Sequence, residues 1–379
     1  MAAYSREETK EFTIQRLHLT PEAQGRTRDD VPSIIRDIGG LQYGGHKVEL
    51  FNRFEDFRPE WLDYWCKNHT LLEGHVLRGA LRVICAEEYP YYFKATRSVS
   101  RRRQSYHKCP ASLTPEHLKV LSLIERHGPL TPSEFKVFLD KGQSRRKAEA
   151  NRLLYDLYNY GKVARIGRKN SRPLYHCTKS LPFELDMESV SEEAAKQWLF
   201  LKCLSIYGPF TIHDIAHWVG WTLTETKQIA EILLKEYKIA GSKIEDESEP
   251  HYLRTEDLSF MDSLNENLPE HSFVKILFND DALLLGCYRR LESFFGYRWR
   301  YPQLSEGIVW RAALLYGREL IGEAVVDMYA KDRTFNVRGF FLRKDFSDKE
   351  IIDKIAREFR RHAVFQGKTL QMREAQLVS

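Results

Sequence analysis

The segments "LTPEHLKVLSLIERHGPLTPSEFKVFL" (Leu113–Leu139) and "SEEAAKQWLFLKCLSIYGPFTIHDIAHWV" (Ser191–Val219) share one layout. In each, an amphipathic helical stretch ends at Gly-Pro, and Thr131 or Thr211 stands where it can cap a short following helix. A longer helix is then expected in each, with apolar residues at helical spacing: Ala150, Leu153, Leu154 and Leu157 in one copy, Ile229, Ile232, Leu233 and Tyr237 in the other. Two hairpins close the copies, "KVARIGRKNSRPLYHCT" and "KIAGSKIEDESEPHYLRT", with Pro173-x-Tyr175 matching Pro250-x-Tyr252. Helix, short helix, longer helix and hairpin in that order predict a winged helix-turn-helix, repeated in tandem.

Working outward, "RDDVPSIIRDIGGLQYG", "RPEWLDYWCKN" and "HTLLEGHVLRGALRVICAEEYPYYF" predict two helices and an apolar strand pair, a third and divergent winged helix. The aromatic run Tyr89, Tyr91, Tyr92 and Phe93 is placed at a strand end, as core or as a base-stacking surface. From about Leu268 the pattern changes to period-two runs around turns at Tyr316-Gly317-Arg318 and Lys331-Asp332-Arg333, a meander or small barrel. An amphipathic helix, "DKEIIDKIAREFRRHAVF", closes it. The expected class is α+β: a divergent winged helix (1–105), a basic one (106–182), one with an acidic wing (183–262), and a β-rich, barrel-like domain (263–379).

Charge separates these parts. The net charge is only +5, yet Lys94–Ser180 holds 20 Lys+Arg against 6 Asp+Glu, an excess of +14 that leaves the rest of the chain at −9. A region so polarised suits a polyanion. The candidate duplex contacts are Arg145, Arg146, Lys147 and Arg152 on the third helix, Arg165, Arg168, Lys169 and Arg172 on the wing, and Arg101, Arg102 and Arg103 in a linker beside Tyr106. The second copy's wing, with Glu245, Asp246, Glu247 and Glu249, would be repelled by phosphates and reads as a spacer or a protein-facing module.

At 379 residues and 42% hydrophobic the chain can bury several cores. It has no apolar run near the roughly 20 residues that span a bilayer, and its start lacks a signal-peptide core, so a cytoplasmic, nucleoid-associated monomer is expected. The six cysteines are scattered singly without a CxxC pair and read as buried thiols. No metal or organic cofactor is expected, since neither a Gly-rich phosphate loop nor HExxH is present.

The order of these units, with "IGGLQYGGHKVELFNRFEDFRPEWL" and "LRGALRVICAEEY", resembles the winged-helix DNA glycosylases of the azinomycin-resistance and crosslink-unhooking type. The resemblance implies tandem winged helices, a C-terminal barrel, and excision of alkylated purines, including bases tied into interstrand crosslinks. It also implies a catalytic Gln, an apolar residue, then Gln or Asp. Here Gln42 and Tyr43 fill the first two places and Gly44 the third. Arg82 stands where that family commonly has His, Glu323 where Arg is usual, and Arg318 at the hairpin that carries its groove probe.

A glutamine can suffice for such chemistry. Alkylation at N7 or N3 leaves a cationic base that departs without a general acid. The site must then aim a water and stabilise a developing oxocarbenium ion. A carboxamide oxygen can accept from that water. With Gly44 in the third place, a helix over 42–53 would bring His46 and Glu49 to Gln42's face, Glu49 as the anion. The alternatives are that Gln42 caps or hydrogen-bonds within its domain, that His46 is a surface residue, and that Glu49 and Arg53 form an i,i+4 pair. Two classes stay open: a monofunctional glycosylase, or a non-catalytic duplex binder such as a regulator or damage-recognition protein.

Overall fold

The repeat reappears in the order of the elements. The computed structural model describes residues 2–21, 25–43, 46–103, 112–138, 146–170, 172–181, 185, 187–298, 310–327, 333–372 and 376–378. Gly44, Tyr106, Cys109, Arg145, Trp299, Lys331 and Asp332 lie outside them. After strand β1 (Ala2–Tyr4) and helix α1 (Arg6–Arg16), the first unit runs α2 (Val31–Asp37), β2 (Leu41–Gln42), α3 (His46–Phe51), α4 (Pro59–Lys67), β3 (Leu71–His75) and β4 (Leu81–Cys85). It is followed by α5 (Tyr89–Arg103). The second unit is α6 (Pro115–His127), α7 (Pro132–Phe138), α8 (Arg146–Asn159), β5 (Val163–Lys169) and β6 (Arg172–Cys177). The third is α9 (Glu192–Tyr207), α10 (Ile212–Val219), α11 (Leu223–Lys235), β7 (Ile239–Ile244) and β8 (His251–Arg254).

In all three, a short extended segment after the first helix pairs antiparallel with the last strand: β2 with β4, Leu130 with Tyr175, and Phe210 with Tyr252. The repeat threonines cap as expected. Thr131 and Thr211 each exchange hydrogen bonds with the carboxylate residue three positions on, Glu134 or Asp214. The apolar stripe of α8 is buried as read, but Tyr237 lies beyond the end of α11 and is exposed.

Two expectations change. The aromatic run does not end a strand: it opens α5, where Tyr89 and Tyr92 are fully buried, and this helix carries the residues read as a linker through Arg103. Residues 42–53 are not one helix, because Gln42 is in β2 and α3 begins only at His46.

The units are joined by sheets. The first two share a five-stranded sheet in the order β2-β4-β3-β5-β6, crossing at Glu73 and Arg165. The Glu73 carboxylate pairs with Arg165 at 2.7 Å and Arg168 at 2.9 Å across that joint. β1 adds in parallel to β7. After α12 (Leu258–Glu266) come β9 (Val274–Phe278), α13 (Ala282–Gly286), α14 (Leu291–Phe295), β10 (Trp310–Tyr316), β11 (Glu319–Asp327), β12 (Thr334–Arg343), α15 (Lys349–Phe365), β13 (Thr369–Met372) and β14 (Gln376–Val378). β9 to β12 form the expected antiparallel meander, extended in parallel by β13 and β14, and the sheet is a half-barrel. Ile351, Ile355 and Phe359 of α15 bury against Ile276, Phe335 and Phe340. Among the described residues no helix is long and apolar enough to cross a membrane.

The C-terminal part, sheet and α15 together, docks on the first unit through buried and part-buried polar contacts. Asn52 donates to the Ile276 carbonyl at 2.8 Å, and Arg361 to the carbonyls of Phe51 and Phe54 at 2.9 and 2.8 Å. The Arg53 guanidinium, fully buried, forks onto Asp281 at 2.9 and 3.2 Å and also donates to the carbonyls of Leu17 and Glu49. Removing one partner of such a pair strands the other charge. Asp281→Ala or Arg53→Met is therefore expected to lower unfolding free energy by about 3–5 kcal/mol each, with the double variant regaining part of the loss. Urea denaturation measures this; a loss below about 1 kcal/mol would show that the pair does not hold the two halves together.

Candidate active site

Gln42 is placed by the two glycines before it. Gly39 and Gly40 have φ of +76° and +88°, and a Cβ on Gly40 would lie 2.6 Å from Ile84 Cγ2 and 3.0 Å from the Val83 carbonyl oxygen. Only glycine combines that backbone with that approach. The chain thereby comes close against β4, and Leu41 and Gln42 pair with Val83 and Arg82.

The half-buried Gln42 carboxamide meets a residue from far along the chain. Its Nε2 donates to Asp280 Oδ1 at 3.1 Å, across 238 positions of sequence. An ionised carboxylate only accepts, so the pairing selects the amide's NH2 end and turns Oε1 away, available to accept from a water. Asp280 lies in the turn between β9 and α13. Burial pushes its carboxyl above the usual range, and the Arg82 guanidinium pulls it back toward ionisation. Arg82 is buried and donates to the Gly40 carbonyl at 3.1 Å, so it braces the glycine turn as well.

Glu49 does not share Gln42's face. It is turned inward on α3, where one oxygen accepts from the Ala282 N–H at 2.9 Å, the same oxygen lies 3.9 Å from Arg53, and the other is buried without a hydrogen bond. Burial drives its carboxyl well above the ordinary range, against the opposing pull of Arg53. The i,i+4 pair with Arg53 is thus present in the interior, and Glu49 acts as a strut behind the Asp280 turn.

His46 opens α3. Its ring stacks on Tyr43 at 5.2 Å, and the Arg168 guanidinium sits 3.8 Å from the Tyr43 ring centroid. Gln42 thus turns to Asp280 while its neighbour Tyr43 turns to the basic wing. A cleft of about 550 Å³ opens there, lined by Tyr43, His46, Lys47, Lys67, His69 and Arg168, with Asp63 and Glu73. Burial, with Lys47 and Arg168 nearby, lowers the His46 pKa to about 4, so the ring is neutral at physiological pH.

The expected duplex contacts divide. Arg101, Arg102 and Arg103 end α5, and Arg146 and Lys147 open α8; their side chains lie outside the described residues. Arg152 is exposed on α8. On the wing, Lys169 and Arg172 are exposed, paired with Glu134 at 2.6 Å and with the Ser133 hydroxyl respectively. Arg165 is buried on Glu73, and Arg168 divides its charge between Glu73 and Tyr43, so neither is a plain phosphate contact. Arg318 is folded back onto the Pro269 carbonyl and lies 3.6 Å from Glu11; it is not an extended groove probe. Tyr89 and Tyr92 are core, not a stacking surface. Among the described residues no group of three or more His, Cys, Asp or Glu could hold a metal ion.

Asp280 is not among the residues that the sequence singles out. The one available signal was the acidic turn Asn279-Asp280-Asp281 directly after the apolar run of β9.

The family model described as DNA glycosylase AlkZ-like matches residues 35–365. Among solved structures, the Streptomyces sahachiroi DNA glycosylase AlkZ is similar over 100% of both chains, with a TM-score of 0.70 and 15% identity. No curated protein matches the chain by sequence.

Burial sets how His46 responds to pH. Its folded pKa of about 4 lies below the unfolded value, so its contribution to stability is complete above about pH 6.5 and is lost as pH falls toward 4. His46→Phe, which keeps a ring on Tyr43, should reduce the fall in urea midpoint between pH 6.5 and pH 4.5; a fall equal to wild type would place the titration elsewhere.

Proposed function

Because the chain belongs to the AlkZ-like DNA glycosylase family, we propose that it binds duplex DNA and hydrolyses the N-glycosidic bond of cationic, alkylated purines, including bases tied into interstrand crosslinks. One observation carries the reading: the Gln42 carboxamide is half-buried with its NH2 end held by Asp280 and, among the described residues, no hydrogen bond to its oxygen.

The chemistry is light. In an N7- or N3-alkylated purine the C1′–N9 bonding pair leaves with the base and neutralises its positive charge. A water oxygen bonds to C1′ and releases a proton to solvent, giving free base and an abasic sugar. Gln42 Oε1 accepts from that water and aims it. No proton has to be delivered to the leaving base.

We read the three helix–strand–helix–helix–hairpin units as winged helices, with Gln42 on the short strand of the first. Its neighbour Tyr43 lies under Arg168 of the second unit's wing, which brings the amide beside the basic unit. Arg101, Arg102 and Arg103 with Arg146, Lys147 and Arg152 supply phosphate contacts, extended by Lys169 and Arg172. A second reading, duplex binding without catalysis, is favoured by Gly44, which has no side chain where a polar one is implied.

Incubation with a duplex bearing one N7-methylguanine separates the two readings. Released base, lost about 100-fold or more in Gln42→Ala while duplex affinity changes less than about threefold, is the expected result. Duplex binding without release would leave the non-catalytic reading. Reversing Arg146, Lys147 and Arg152 to Glu should weaken binding to any duplex and flatten the slope of log affinity against log salt by roughly 0.9 per lost phosphate contact. An unchanged slope would move the duplex off α8.

A further inference from the structure

Gly44 raises a chemical question: a lone amide can aim a water, but it brings no charge to a sugar that becomes cationic. Asp280 is the carboxylate hydrogen-bonded to that amide, and it reaches it from the other end of the chain. We propose that Asp280 is the second polar group of the active site, a positioning residue that fixes the Gln42 carboxamide in its water-accepting orientation and sets a negative charge beside the reacting sugar. This rests on the glycosylase reading above and deepens it.

Three observations support the assignment. The first is orientation. A carboxamide can turn end for end, and only one of its two orientations presents an acceptor to water. An acceptor-only carboxylate at 3.1 Å removes the other. The second is rigidity. The turn carrying Asp280 is tied on its C-terminal side by the Arg53–Asp281 fork, by the Ala282 N–H on Glu49, and by Asp281 capping Leu283 at 3.0 Å, all buried. The third is charge. Burial raises the Asp280 carboxyl above its ordinary range, and Arg82, directly across from Gln42 in the β2–β4 pairing, offsets part of that rise toward the ionised form. A site organised this way needs no side chain at position 44.

The test uses the full-length chain as wild type, Asp280→Asn, Asp280→Glu, Asp280→Ala, Gln42→Ala and the Gln42→Ala/Asp280→Ala double variant. Thermal midpoints and affinity for undamaged duplex serve as folding controls. Single-turnover release of N7-methylguanine should fall about 10- to 100-fold in D280A and D280N, with partial recovery in D280E, and the double variant should lose less than the product of the two single losses, because the positioning role vanishes with Gln42 while the charge role remains. D280N, nearly isosteric, keeps an acceptor and loses the charge, so it separates electrostatics from shape. A second readout does not depend on turnover: affinity for a duplex carrying a cationic pyrrolidine abasic analogue relative to its neutral tetrahydrofuran counterpart. Wild type should prefer the cation by about tenfold or more, and D280N should lose most of that preference. Asp280 variants that release base at the wild-type rate, or a wild-type protein with no preference for the cation, would overturn the assignment. Failure of wild type to release base, with the cation preference present and lost in D280N, would sink the glycosylase reading and leave the carboxylate's placement standing.

Discussion

The buried fork between Arg53 and Asp281 is the contact on which the site depends. A guanidinium and a carboxylate withdrawn from water are costly to hold, and the cost is offset only when geometry is good and the remaining donors are filled. Here Arg53 also donates to the carbonyls of Leu17 and Glu49, so one side chain gathers the N-terminal segment, α3 and the turn after β9. That turn then presents the preceding residue, Asp280, to Gln42. A site whose two polar groups are 238 positions apart is only as well placed as the joint between the halves that carry them.

Much of the architecture was legible in the sequence because it repeats. Gly-Pro after a helix, a capping Thr, and a hairpin with Pro-x-Tyr recur, and the structure puts matching elements at both places. The meander and its covering helix were legible from a period of two that gives way to a helical period. The errors fall where short-range pattern is a poor guide. The run from Gln42 to Arg53 has helical spacing, but Gln42 is bound into a two-residue strand by pairing with Arg82, a tertiary contact that local spacing does not contain. The Tyr-rich run at 89–93 is apolar enough for either state, and α5 uses it as a packing face.

The candidate site divides in the same way. Gln42 announced itself through the glycines around it and the resemblance they carry. Asp280 did not, because the adjacency exists only after docking. Charge counted along the sequence is a regional property, and the structure redistributes it residue by residue: Arg165 and Arg168 count as cations in the sequence, yet Glu73 of the neighbouring unit takes both, and Arg318 turns back toward Glu11. A linear sequence shows how many cations a wing has, not which of them an interior carboxylate will hold.

A cationic base is a good leaving group, so the proposed site asks of its protein only an amide, a carboxylate beside it and a basic unit nearby. The most direct test is a structure of the chain with a duplex containing the cationic pyrrolidine analogue. The account predicts that the pyrrolidine nitrogen lies within about 4–5 Å of Gln42 Oε1, close enough for one bridging water, with the amide NH2 still on Asp280. A duplex lying across another face, with Gln42 roughly 10 Å or more from the analogue, would contradict it.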